Sequence, residues 1–141
     1  MEANELLKHF LPFMLRFIAG ALFFFQAYDK LFRIGLVGTA DTVTELYREI
    51  GVPRWFVRFS VGVSTYIELI GGVLLLLGLF KTVAIVILGI NLMMVTVAFG
   101  MRQGMWDAQH VFVRLVLLVA IGVMPESWDA WTLQNWFDSA G

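Results

Sequence analysis

The chain has 141 residues, 60% of them hydrophobic and 15% charged, with a net charge of −1 and a mean hydropathy of +0.81. Soluble domains carry roughly 25% charged residues, and a soluble chain this short has too little interior to hide so much apolar surface. The bilayer must therefore be part of its solvent, which excludes a soluble enzyme, a disordered tail and, without a basic field, a nucleic-acid binder.

The first apolar stretch spans about residues 10–32. Glu2, Glu5 and Lys8 precede it, so its start is not net positive, and no small-x-small cleavage site follows. It reads as a retained first helix, not a secretory signal. In the loop that follows, Thr42 and Glu45 have the spacing of a capping box. Val43, Leu46, Tyr47 and Ile50 then recur at helical spacing, and Gly51 and Pro53 end the pattern. This predicts a short amphipathic helix lying on the membrane surface or capping a bundle. The second, third and fourth spans cover about residues 56–80, 82–101 and 108–125. The tail, 126–141, carries Trp128, Trp131 and Trp136. Tryptophan favours the membrane interface, where its ring is half buried and its N–H stays wet, so the tail is expected to anchor there. The expected fold is all-α: an integral membrane four-helix bundle with a short amphipathic helix in the first loop, one domain over 1–141.

Basic residues set orientation. The side of the first and third loops holds Lys30, Arg33, Arg48, Arg54, Arg58 and Arg102, and the other side holds Lys8 and Lys81. Six against two places the first and third loops in the cytoplasm and both termini outside. Arg16 and Arg114 fall inside spans.

Charges inside a span cost roughly 2.5–3.5 kcal/mol each on insertion scales, so the direction each one faces matters. Helical angles put Arg16, Gly20, Phe23, Ala27 and Lys30 on one face of the first helix. Ser60, Ser64, Glu68 and Gly72 share a face of the second, and Asn91, Val95, Ala98 and Arg102 of the third. Asp107, Val111, Arg114 and Leu118 align on the fourth, with His110 beside them. Four inward stripes of polar or small residues suit a closely packed bundle with a polar centre. Glu68 sits near the middle of its span, and Arg16 and Arg114 each stand about 8–10 Å from it along the axis at 1.5 Å per residue. Either arginine is a plausible partner for the Glu68 carboxylate, which serves as an ion-pair residue or as a contact for a ligand, proton or quinone.

Gln26, Asp29, Lys30, Arg102, Asp107, His110 and Arg114 gather toward the side of the first and third loops. They read as snorkelling interfacial pairs or as the polar mouth of a site for an anionic or quinone-like headgroup, walled by Met101, Trp106 and Phe112, with His110 as a proton donor. Asp107 and His110, at i and i+3, are too few to hold a metal. The lack of cysteine excludes disulfides, iron–sulfur clusters and cysteine-held zinc. His9 and His110 fall on opposite sides, so bis-histidine haem is not expected. Gly71-Gly72 and Gly78 read as helix-packing positions, since no phosphate loop or nucleophile elbow is present.

The order of these features resembles the DoxX family of small four-helix membrane proteins. The first helix carries Leu15-Arg16, Gly20 and Lys30-Leu31, and the connecting helix ends in Gly51-Val52-Pro53. The second carries Glu68-Leu69-Ile70-Gly71-Gly72 and closes with Leu77-Gly78-Leu79-Phe80-Lys81. The pattern covers about residues 14–100. Residues Gln26-Ala27-Tyr28 depart from the Gly- or His-containing stretch expected before the lysine. The resemblance implies a bacterial or archaeal inner-membrane protein with redox associations, relatives including a terminal quinol oxidase subunit and a component of a membrane oxidoreductase complex. It also makes Arg16, Lys30 and Glu68 the family-like polar positions.

Three functions are then expected in competition. The favoured one is a non-catalytic accessory subunit of a membrane respiratory or redox complex, with no intrinsic cofactor and with other membrane subunits as partners. The second is a stand-alone protein that binds quinone or lipid. The third is a small transporter, for which four spans leave little room for alternating access.

Overall fold

The computed structural model describes the backbone of residues 2–107 and 109–140 and, within these, all side chains except those of 46, 49, 99–112 and 126. The described residues form six α-helices and no strand. They are α1 (Ala3–Tyr28), α2 (Leu36–Leu46), α3 (Arg54–Leu77), α4 (Lys81–Asp107), α5 (Gln109–Val123) and α6 (Leu133–Ala140). The chain is a multi-pass membrane protein of all-α fold. Three segments are long and apolar enough to cross a bilayer: Ala3–Arg33, Arg54–Leu77 and Lys81–Ala98. α5 stops at Val123, two residues before Pro125. A proline disfavours helical backbone at the residue before it and donates no N–H.

The inward stripes are largely where helical angles put them. Phe23, Leu75, Leu88, Leu92, Leu118 and Ile121 form the core. Phe25, Phe59, Met93 and Val116 point outward and are exposed, as lipid-facing residues are. The closest pairing is α1 against α3, and glycine makes it possible. A Cβ on Gly72 would stand 2.8 Å from the Phe24 nitrogen and 2.9 Å from the Gly20 carbonyl oxygen. Those two backbones touch where hydrocarbon solvent supplies no hydrophobic force between helices, so close packing must hold them.

Two ends of helices depart from regular geometry. After Tyr28 the first span continues as a wider π-helical turn over Asp29–Arg33, with the Ile34 N–H donating to the Asp29 carbonyl at 2.8 Å. Turns of this kind recur at functional sites, and this one carries Lys30. At the other end of α3, Gly78 adopts the left-handed conformation (φ +69°) and lets the chain reverse into α4.

The loop helix differs from expectation in its start. Thr42 does not cap it. α2 begins at Leu36 behind Gly35, whose φ is +83°, and no side chain caps it. Thr42 lies inside the helix and donates its hydroxyl to the Gly38 carbonyl at 2.9 Å, the back-bonding expected of an interior threonine. The apolar stripe holds in part. Tyr47 is buried and donates its hydroxyl to the Ala98 carbonyl at 2.6 Å, so this segment caps the bundle by packing on α3 and reaching α4. Asp41 of α2 also clamps the start of α3, accepting from Arg54 at 2.9 Å with Arg58 at 3.7 Å. The Arg54 hydrogen bond, opposed by some desolvation and reinforced by the charges of Arg54 and Arg58, holds the Asp41 carboxyl below its ordinary value of 3.8. A lowered carboxyl favours the folded state above the ordinary range and loses that contribution as pH falls through its folded value. The thermal midpoint of the parent should therefore exceed that of Asp41→Asn at pH 7, and the difference should shrink as pH falls below 3.8.

Candidate functional site

Two buried charge networks sit at different depths of the bundle. The deeper one centres on Glu68, which α3 presents on the same stripe as Ser64 and Gly72. Its carboxylate is 3% exposed and faces α1 and α4. Lys30 donates to both of its oxygens, at 3.1 and 3.2 Å. Ser64 and the Asn91 side-chain amide each donate to Oε1 at 3.4 Å. Lys30 is 28% exposed, so the pair reaches from the core to the end of α1. The Arg114 guanidinium of α5 lies over the Phe23 ring at 5.9 Å and within electrostatic range of Glu68. The first span, α3 and α4 thus meet at one carboxylate.

The second network sits nearer the termini. Arg16, 1% exposed, donates from Nε to Asp129 at 3.0 Å, from Nη1 to the Leu75 carbonyl at 2.9 Å and from Nη2 to the Trp131 carbonyl at 2.7 Å. Lys81 holds the other Asp129 oxygen at 3.3 Å. His9 Nδ1 lies 2.9 Å from the Trp128 carbonyl, which requires the proton on that nitrogen. The tail therefore folds back onto the bundle. Its last eight described residues form α6, whose Gln134 bonds the α3–α4 turn through the Phe80 N–H and the Gly78 carbonyl. Phe80 has φ +45°, an unfavourable left-handed position for an aromatic residue, and this contact supports it.

The expected partners need revision at two points. Arg16 does not approach Glu68; it is held by Asp129 of the tail. Glu68 is gripped by Lys30 and Asn91, with Arg114 the only one of its two expected arginines nearby. Asp129 of the tail is 5% exposed and is the most buried of the described residues there. One signal could have found it: Arg16 lies on the terminal side of its span and needs an anion at that depth. Asp29, grouped with the mouth, pairs on the surface with Arg33 at 3.2 Å. Arg102, Asp107 and His110, together with the walls Met101, Trp106 and Phe112, lie outside the described side chains. Of the expected polar residues the structure brings Lys30, Glu68, Asn91 and Arg114 together, and it leaves Arg16 in the other network. Among the described residues no group of three or more metal-ligating side chains converges.

Comparison with known proteins finds one match. The family model described as DoxX matches residues 11–101. That stretch carries Arg16, Lys30, Glu68 and Asn91, and it leaves Arg114 and Asp129 outside. None of the curated proteins and none of the solved structures matches the chain.

Proposed function

Since the chain belongs to the DoxX family, we propose that it is a non-catalytic accessory subunit of a quinol-linked redox complex in a bacterial or archaeal inner membrane. The observation that carries this reading is how the interior acids are used. Glu68 and Asp129 are each held by two or more donors from other helices. Their bonds fasten α1 to α3 and α4, and the tail to α1 and α4, which is the work of a scaffold. A buried carboxylate engaged in this way costs several kcal/mol to release and is poorly placed to shuttle protons.

In this reading the basic ends near Lys30, Arg33, Arg54 and Arg58 face the cytoplasm, by the positive-inside rule. The tail and α6 then lie on the outer face, where Trp131 and Trp136 are available to a neighbouring subunit or to lipid headgroups. Gentle detergent extraction of the tagged full chain from its native membrane, followed by mass spectrometry and an absorbance spectrum, tests this. The expected result is co-purification with cofactor-bearing oxidoreductase subunits. A solitary chain carrying quinone or lipid would replace the reading with that of a stand-alone ligand-binding protein.

A further inference from the structure

Tyr66 carries a hydroxyl where a membrane protein has little use for one. It lies midway along α3, inside the apolar span Arg54–Leu77, and is 51% exposed on the side turned away from the bundle. Tyrosine favours the membrane interface, where its hydroxyl meets water. The eight positions from Arg58 to Tyr66 span about 12 Å of helix, too far for the phenol to reach the headgroups at the basic end. Among the described residues its hydroxyl has no hydrogen-bond partner. Other hydroxyls at membrane depth are satisfied within their own helices: Thr65 donates to the Val61 carbonyl and Thr96 to the Leu92 carbonyl, each at 2.7 Å. Such local bonds belong to short side chains, and the phenol of Tyr66 stands too far from its own backbone to copy them. Hydrocarbon tails offer neither donor nor acceptor, so an unpaired hydroxyl facing them is costly.

The residues around Tyr66 have the spacing of a helix seam. Phe59, Val63, Tyr66, Ile70, Val73 and Leu77 alternate steps of four and three along α3, the period with which two helices pack side by side. Phe59, Tyr66, Ile70 and Leu77 are exposed, directly opposite the buried stripe of Val57, Thr65, Glu68, Gly72 and Leu75. No charge interrupts the seam. We propose that two copies of this chain pair through this face of α3, with the Tyr66 hydroxyls hydrogen-bonded to each other across the dimer axis. Two copies inserted in the same direction are related by a two-fold axis along the membrane normal, which sets Tyr66 of each at the same depth. A hydroxyl both donates and accepts, so the symmetric pair satisfies itself and needs no further residue. An interhelical hydrogen bond and close apolar packing are the forces that join helices in lipid. The pairing leaves the faces of α1 and α4 free for other subunits. It goes beyond the accessory-subunit reading and is tested on the purified chain, so either can fail alone.

The full chain has no cysteine, so single cysteines report without background. Copies carrying Ser139→Cys, exposed on α6, are labelled with donor or acceptor dye, mixed in vesicles of phosphatidylethanolamine and phosphatidylglycerol, and diluted with lipid. Energy transfer should exceed that of randomly placed copies and fall only at high dilution. Adding Tyr66→Phe, which keeps the ring, should weaken the dimer about three- to tenfold, the factor for one interhelical hydrogen bond in a membrane. In unlabelled chains under mild oxidation, Ile70→Cys should give a disulfide-linked dimer, and Met93→Cys, also exposed but on α4, should not. Energy transfer at the random level throughout overturns the proposal and leaves Tyr66 to a quinone or to a helix of another subunit. Cross-linking through Met93→Cys as strong as through Ile70→Cys overturns α3 as the interface. A dimer equally stable with Tyr66→Phe overturns the role of the hydroxyl.

Discussion

Asp129→Ala is expected to destabilise the protein by about 3–5 kcal/mol, the usual cost of removing one partner from a buried ion pair. The carboxylate it deletes is only 4% exposed and is shared by Arg16 and Lys81. Arg16 cannot follow the lost charge into water, because its other two donors hold the Leu75 and Trp131 carbonyls. The substitution therefore strands a guanidinium that is almost wholly buried. Unfolding in micelles of fixed composition would read the loss. Arg16→Met combined with Asp129→Leu should recover most of it, since a well-packed apolar pair often equals a buried ionic one. A midpoint unchanged in Asp129→Ala would mean that docking of the tail contributes nothing to stability.

Gly72→Ala carries the second large expected effect. The added methyl would stand within 2.9 Å of backbone atoms of α1, namely the Phe24 nitrogen and the Gly20 carbonyl oxygen. Backbone cannot turn aside as a side chain can, so α1 and α3 must separate. Overpacking of this kind costs typically about 1–3 kcal/mol. Separation would also draw Glu68 on α3 away from Lys30 in the π-helical turn that continues α1. Gly89→Ala is the control. No atom lies within 4 Å of its new methyl, so it should change stability by less than about 1 kcal/mol, toward greater stability if the helix gains from alanine. Comparable losses in the two variants would show that the helix contact at Gly20 and Gly72 is not what makes the site sensitive.

These two positions also show how far the chain could be read before its fold was known. Gly72 was legible. It sits four residues after Glu68 on a stripe that helical periodicity places inward, and a small residue on such a stripe means close helix packing. Asp129 was not. It lies in a short polar segment between Pro125 and α6 with no apolar period to orient it, so only the unmatched charge of Arg16 at that end of the first span pointed to it.

Composition and periodicity by themselves determined that this is an all-α membrane protein and that Arg16, Phe23, Glu68 and Asn91 face inward. They did so because an apolar run of membrane length has one stable solution in lipid and because a 3.6-residue period fixes each side chain's direction about its own helix. Only the tertiary structure decided which inward residues meet. Partnership depends on the rotation of one helix against another and on their relative height, and a shift of one turn, about 5.4 Å, exchanges one ion-pair partner for the next. That is why Glu68 fell to Lys30 and Asn91, and why Arg16 found its anion in a tail that folds back over the end of the bundle.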